Sequence, residues 1–198
     1  MGINSDITAV VLAGGMARRM GGGDKGLIQF RGQPLISHVL QRVESQVGLT
    51  LINANRNHSD YHALGFEVLS DPQAGYQGPM MGFLSGLQAL SSEWLLVVPC
   101  DSPFVPMDLA SRLLHAARQQ SARIAVARDG KRIQPVFALI HRSLQEDLEC
   151  CLADGERKID RWYARHVMAE VDFSDQPAAF INLNTPDELA QMDKGTEA

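Results

Sequence analysis

The run at residues 7–12, Ile-Thr-Ala-Val-Val-Leu, is apolar at almost every position and passes directly into a stretch crowded with glycine and arginine. A strand with one wet face alternates apolar and polar residues, whereas an unbroken β-branched run must be covered on both faces. This one segment commits the chain to a sheet enclosed between helices. The run at 94–98, Trp-Leu-Leu-Val-Val, repeats the pattern and closes at Pro99-Cys100-Asp101. Between and after these two strands the apolar period switches repeatedly between that of a strand and that of a helix. An extended piece at 27–30 precedes the turn Arg31-Gly32-Gln33. Pro34 then opens a helix with Leu35, Ile36, Val39, Leu40, Val43 and Val47 at helical spacing. Strands follow at 49–54 and 66–69. A helix at 80–90 contains Gly82 and Gly86, which permit close backbone approach, and Pro106 opens another helix.

Strands at 123–127 and 133–140 flank Asp129-Gly130, a hairpin turn signal. Helices are expected at 143–153 and 158–166, extended segments at 167–173 and 180–183, and a last helix from Pro186. Strands alternating with helices imply a doubly wound α/β fold, a mostly parallel sheet with a small antiparallel insertion at the hairpin. Residues 1–198 read as one domain.

Composition narrows the function classes. A hydrophobic fraction of 45% and a charged fraction of 21% are those of a soluble globular chain, and the net charge of -5 argues against general nucleic-acid or membrane-surface binding. The N-terminus lacks the basic flank and long apolar core of a signal peptide, so a cytoplasmic protein is expected. Cys100, Cys150 and Cys151 form no CxxC pair, and all three are expected as buried thiols in a reducing compartment. The six histidines show no metal-ligand spacing and read as solvated surface residues.

The glycine-rich stretch after the first strand carries the clearest chemistry. Gly14, Gly15 and the glycines at 21–23 let the backbone turn its N–H groups inward as an anion nest, and Arg18, Arg19 and Lys25 add positive charge there. The segment at 21–26 formally fits GxGxxG but does not follow directly on a strand. Lys25 lies between Asp24 and Gly26, where a P-loop would have Ser or Thr after the lysine. Neither pattern fits, and the stretch reads either as a phosphate loop of a different kind or as a flexible, charged surface loop. Asp101, at the mouth of the second buried strand, can be held rigidly beside that loop as a magnesium ligand, or it can simply cap the turn Asp-Ser-Pro.

The run LAGG-x-ARRMGG-x-DKGL at 12–27 resembles the signature loop of nucleotidyltransferases, most closely that of the molybdenum cofactor guanylyltransferases. Sugar-activating relatives usually carry glycine where this chain has Ala17, and the cytidine-transferring relative usually reads LAAG at the position of Leu12-Ala13-Gly14-Gly15. The resemblance extends to the segments around Asn53, Asp71, Asp101 and Asn182-Leu183-Asn184-Thr185-Pro186. It implies a Rossmann-like nucleotidyltransferase fold and transfer of GMP from GTP to molybdopterin with release of pyrophosphate. By the same resemblance Asp101 holds Mg2+, and Leu12, Ala13, Gly14, Gly15, Lys25, Asn53, Asp71, Gly78, Gly82 and Asp101 line the GTP site. Asn182 faces the pterin. Arg19, Lys25 and Asp101 are the expected catalytic residues. Thr185, Pro186 and Glu188 also read, without any ligand, as a capped helix start. Partners would be other proteins of molybdenum cofactor biosynthesis, and a monomer is expected. Rival readings are the cytidine-specific relative, a sugar-phosphate nucleotidyltransferase, and a silent nucleotide sensor, which would have lost Lys25, Arg19 or Asp101.

Overall fold

A computed structural model describes residues 3–13, 23–73, 78–185, 188–189 and 191–192. Its frame is a seven-stranded sheet made of β1 (Asn4–Leu12), β4 (Val47–Asn53), β5 (Glu67–Leu69), β6 (Trp94–Pro99), β7 (Ile124–Arg128), β8 (Ile133–His141) and β9 (Met168–Asp172), in the order β5-β4-β1-β6-β8-β7-β9. Two short strands, β2 (Gln29–Phe30) and β3 (Gln33–Pro34), form a separate hairpin over Arg31 and Gly32. The α-helices are α1 (Leu35–Glu44), α2 (His58–His62), α3 (Pro79–Gln88), α4 (Leu109–Gln119), α5 (Gln145–Ala153) and α6 (Ile159–Tyr163).

β5, β4, β1 and β6 run parallel; β8 is antiparallel to both β6 and β7, and β9 returns parallel to β7. The mostly parallel sheet with an antiparallel insertion at the Asp129-Gly130 hairpin is therefore present. Successive residues of the buried strands serve opposite layers. Ile7, Ala9 and Val11 join the core under α1 and α4, while Val10 joins the core under α3, α5 and α6. In β6, Trp94, Leu96 and Val98 face the first layer, Leu95 and Val97 the second. Gly86 allows the close approach of α3 to the sheet: a Cβ there would lie 2.9 Å from two methyl carbons of Leu95 and 3.1 Å from Val10.

Several local expectations are corrected. The segment 180–183 is irregular, because its neighbour is the loop after β6 and its described backbone bonds are Ile181 N–H to Ala178 and Leu183 N–H to the Asp101 carbonyl, 2.9 Å. Pro106 does not open α4; it precedes the helix, accepting from Leu109 N–H at 3.2 Å. Pro34 sits in β3, and the helix starts one residue later. The five-residue α2, too short to register as a period, was not expected. Cys100 and Cys151 are buried, but Cys150 is exposed, since it falls on the outer side of α5. His166 is not a solvated residue: its ring packs on Trp162 and its Nε2 lies 3.0 Å from Asp147.

Candidate active site

The carboxyl ends of four parallel strands lie in one row, with Leu12 paired to both Asn53 and Pro99, and Asn53 paired to Leu69. From β1 the sheet extends through β4 to one side and β6 to the other, so the chain changes direction at the β1/β6 boundary. In open parallel sheets ligands gather in the crevice at that point. The loop carrying Lys25 leaves β1 here, and Asp101 follows β6 here. Gly14, Gly15, Arg18 and Arg19 lie outside the described residues. Leu12 and Ala13, the last of β1 and the first beyond it, are tied into the row by Ala13 N–H to Asn53 O at 2.8 Å and Cys100 N–H to Leu12 O at 3.1 Å.

Lys25 stands at the start of a 3-10 turn, Lys25–Leu27, and its ammonium donates to both Asp101 Oδ2 and Asn184 Oδ1. Lysine and aspartate side chains are only 14% and 13% exposed, so this ion pair is shielded from bulk water. The segment behind it is laced to the end of β6. Leu183 N–H bonds to Asp101 O, and the fully buried Ser102 donates to Asn182 Oδ1 at 2.6 Å and toward Asp101 Oδ1 at 3.4 Å. The Asn182 side chain thus meets Ser102, next to Asp101, while Asn184 reaches Lys25 directly. Asn184 was not singled out in the sequence. Its spacing of two from Asn182 in a non-helical segment was the available signal. Its position is fixed by the expected capping box: Glu188 N–H donates to Thr185 Oγ1 at 3.2 Å. The Glu188 carboxylate in return accepts from Thr185 N–H at 3.0 Å and from Asn184 N–H at 2.6 Å. The Asn184 amide, then burial working against it, then that of Thr185 leave the Glu188 carboxyl below its ordinary range.

A second cluster forms at the ends of β4 and β5. Asn53 Nδ2 donates to Asp71 Oδ1 at 3.0 Å, and Asn55 Nδ2 to Asp71 Oδ2 at 2.7 Å. Asp71 N–H returns a bond to Asn55 Oδ1 at 2.8 Å. Asn55 is a further residue that sequence reasoning passed over. Ser85 Oγ also lies 3.4 Å from Asp71 Oδ1, so of the carboxylate's roughly four acceptor sites the one left open is on Oδ2. Gly82 borders this cluster, and a Cβ there would come within 2.6 Å of Asn53 Oδ1 and of Leu12 Cδ2. Gly78, with φ of +80° and open space around it, makes the turn into α3.

Asp101 and Asn184 present a carboxylate and a carboxamide oxygen to one point, now taken by an ammonium. That donor set suits a hard, oxygen-seeking cation that completes its shell with phosphate and water. Among the described residues no group of three or more His, Cys, Asp or Glu is placed to hold a metal. Burial and then the Asp101 charge push the thiol of neighbouring Cys100 far up.

A lysine and a carboxylate thus face each other across the switch point, with a carboxylate–carboxamide cluster one strand away. The resemblance of the loop is matched by the whole chain. A sequence profile of the MobA-like NTP transferase domain covers residues 9–171, and the chain belongs to that family of nucleotidyltransferases. It is 50% identical over 186 residues to the molybdenum cofactor guanylyltransferase of Shewanella sediminis, covering 94% of this chain and 95% of that one. Against the same enzyme of Shewanella loihica it is 50% identical over 190 residues, covering 96% and 97%. Among solved structures it superposes on molybdopterin-guanine dinucleotide biosynthesis protein A from Archaeoglobus fulgidus with a TM-score of 0.77 at 23% identity, over 94% and 97% of the two chains. It also superposes on the 4-diphosphocytidyl-2C-methyl-D-erythritol synthase of Anaerococcus prevotii, with a TM-score of 0.75 at 14% identity over 96% and 95%. These two similarities establish the nucleotidyltransferase fold.

Proposed function

We propose that this chain, as one nucleotidyltransferase domain, transfers GMP from GTP to molybdopterin and so forms the guanine dinucleotide form of the molybdenum cofactor. The observation that carries this reading is the shielded Lys25–Asp101–Asn184 cluster at the mouth of the phosphate loop, in a chain half identical end to end to guanylyltransferases. A terminal phosphate oxygen of the pterin attacks the α-phosphorus of GTP. One P–O bond forms, the bond to the bridging oxygen breaks, and its electron pair leaves with pyrophosphate. The attacking group is already anionic, so no strong base is required, and the barrier lies in alignment and charge repulsion.

Lys25 and Arg19 meet the charge that moves onto pyrophosphate, and backbone N–H groups over 12–15 cradle phosphate oxygens. Asn53 and Asp71 take the guanine edge, with the open acceptor site on Asp71 Oδ2 suited to one of its N–H donors. Gly78 and Gly82 shape the wall that the base lies against. Asn182, through Ser102, steadies the acceptor side. Asp101, with Asn184, would hold Mg2+, which supplies charge neutralisation and a template for phosphate oxygens. The reaction belongs in the cytoplasm, and the product passes to other proteins of molybdenum cofactor biosynthesis. Lys25→Ala and Asp101→Ala should each lower turnover at saturating GTP by about 100-fold or more, the scale of a lost preorganised charge, with Tm little changed. Turnover within twofold of wild type in either variant would remove that residue from the scheme.

A further inference from the structure

Asp24, adjacent to Lys25, is an acid in an unexpected place: its side chain is only 1% exposed. Burying a carboxylate is costly unless several donors meet it, and three do. Tyr61 Oη donates to Oδ1 at 2.7 Å, Asn57 Nδ2 donates to Oδ2 at 3.2 Å, and Arg56 Nε lies 3.3 Å from Oδ2. All three partners come from the segment that follows β4, on or just before α2. Arg56 also donates to Gly23 O at 3.2 Å, so the chain is gripped on the residue before Asp24 as well. Tyr61 is fully buried. Burial first, then Cys100 and Asp24, push its phenol far above the ordinary range, so it remains a donor.

On the other side of Lys25 the same phenol occupies the space beside Gly26, where a Cβ would stand 2.8 Å from Tyr61 Oη and 3.4 Å from Ile36 Cβ. Lys25 is therefore held between two residues that both rest on Tyr61. A lysine ammonium is a point charge on a flexible stem, so its aim depends on where its backbone is fixed. With three donors on it, the Asp24 carboxylate also makes little claim on the neighbouring ammonium, which stays free to face Asp101 and Asn184.

We infer that Tyr61 and Asp24 are positioning residues for Lys25, a buried brace that sets the reach of the phosphate-facing lysine from the strand that also carries Asn53. The inference rests on Lys25 being the phosphate lysine of the proposed reaction. Its test is a double-mutant cycle of Tyr61→Phe with Lys25→Ala, measured as GMP transfer under single-turnover conditions at saturating GTP, with Tm followed in parallel. In the Lys25 background, Tyr61→Phe should slow transfer about tenfold, a partial share of what misplacing a catalytic group costs, with KM for GTP within about twofold. In the Lys25→Ala background it should add less than about twofold, because the group it aims is gone.

An equal loss in both backgrounds would make Tyr61 a merely structural residue, and no loss in the first would also overturn the inference. If Tyr61→Phe does not fold, the same cycle with Arg56→Gln, at the half-exposed rim of the brace, decides by the same criterion. Lys25→Ala with unchanged transfer would instead refute the reading of Lys25 itself, and the brace with it.

Discussion

Gly82 and Asn53 explain each other. Glycine in a helix interior costs about 1 kcal/mol relative to alanine, so its presence in α3 needs a reason. The reason is Asn53 together with Leu12, whose carboxamide oxygen and Cδ2 methyl, respectively, both stand in the space a Cβ would take. Gly82→Ala should therefore gain helix propensity yet push Asn53 away from Asp71 and weaken GTP binding by roughly tenfold, about the worth of one hydrogen bond. Titration of the variant with GTP checks this, and an unchanged Kd would show that Asn53 does not contact the base. From the sequence, Gly82 reads as clearance for the nucleotide; in the structure it also gives clearance to the side chains of Asn53 and Leu12. Lys25 and Asp101 were readable because each lies in a local motif at a strand end. Asn55, Tyr61 and Asn184 were not, because their partners lie 16, 37 and 159 residues away, and such pairings become visible only when the sheet is assembled.

At the scale of elements, periodicity located the strands and long helices to within a few residues, and turn chemistry located the hairpin at Asp129-Gly130. It failed where an element owes its form to tertiary contact. The segment 180–183 has the composition of a strand but packs against a loop, and α2 is held by Tyr61 and not by any period of its own. The short α6 belongs to the same class. Asp147 on α5 anchors its end, accepting from Trp162 Nε1 at 2.8 Å and from Arg165 at 3.0 Å, with His166 Nε2 3.0 Å away. Burial works against the charge of Asp147, but the bond from Trp162 and the charges of Arg165 and His166 outweigh it and hold the carboxyl below its ordinary value of 3.8. A depressed carboxyl contributes stability that is full above its unfolded pKa and is lost as pH falls through the folded one. Asp147→Asn should therefore lower Tm at neutral pH, and its gap from wild type should close as pH is taken below 3.8. A gap independent of pH would mean that packing of Trp162, not charge, holds α6 in place.

At the scale of the whole molecule, the first strand and the alternation that follows it were enough to specify a covered parallel sheet, and hence a ligand site at its switch point. The site has two ends on that edge. Asn53 ends β4, Asn55 and Asp71 sit past β4 and β5, Lys25 and Asp101 past β1 and β6, and the segment after β4 supports both ends, through Asn55 to Asp71 and through Arg56, Asn57 and Tyr61 to Asp24. In the proposed reaction such an arrangement would couple recognition of the base to alignment of the phosphates, so a wrong base should be poorly aligned as well as weakly bound. Among the described residues no helix is long and apolar enough to cross a membrane. The most direct measurement incubates the purified chain with molybdopterin and magnesium and offers GTP, CTP, ATP and UTP separately, following pyrophosphate and the modified pterin together. Product and pyrophosphate formed in equal amounts with GTP, and at most a trace with the others, is the predicted result. Efficient transfer from CTP, or pyrophosphate release without a modified pterin, would contradict it.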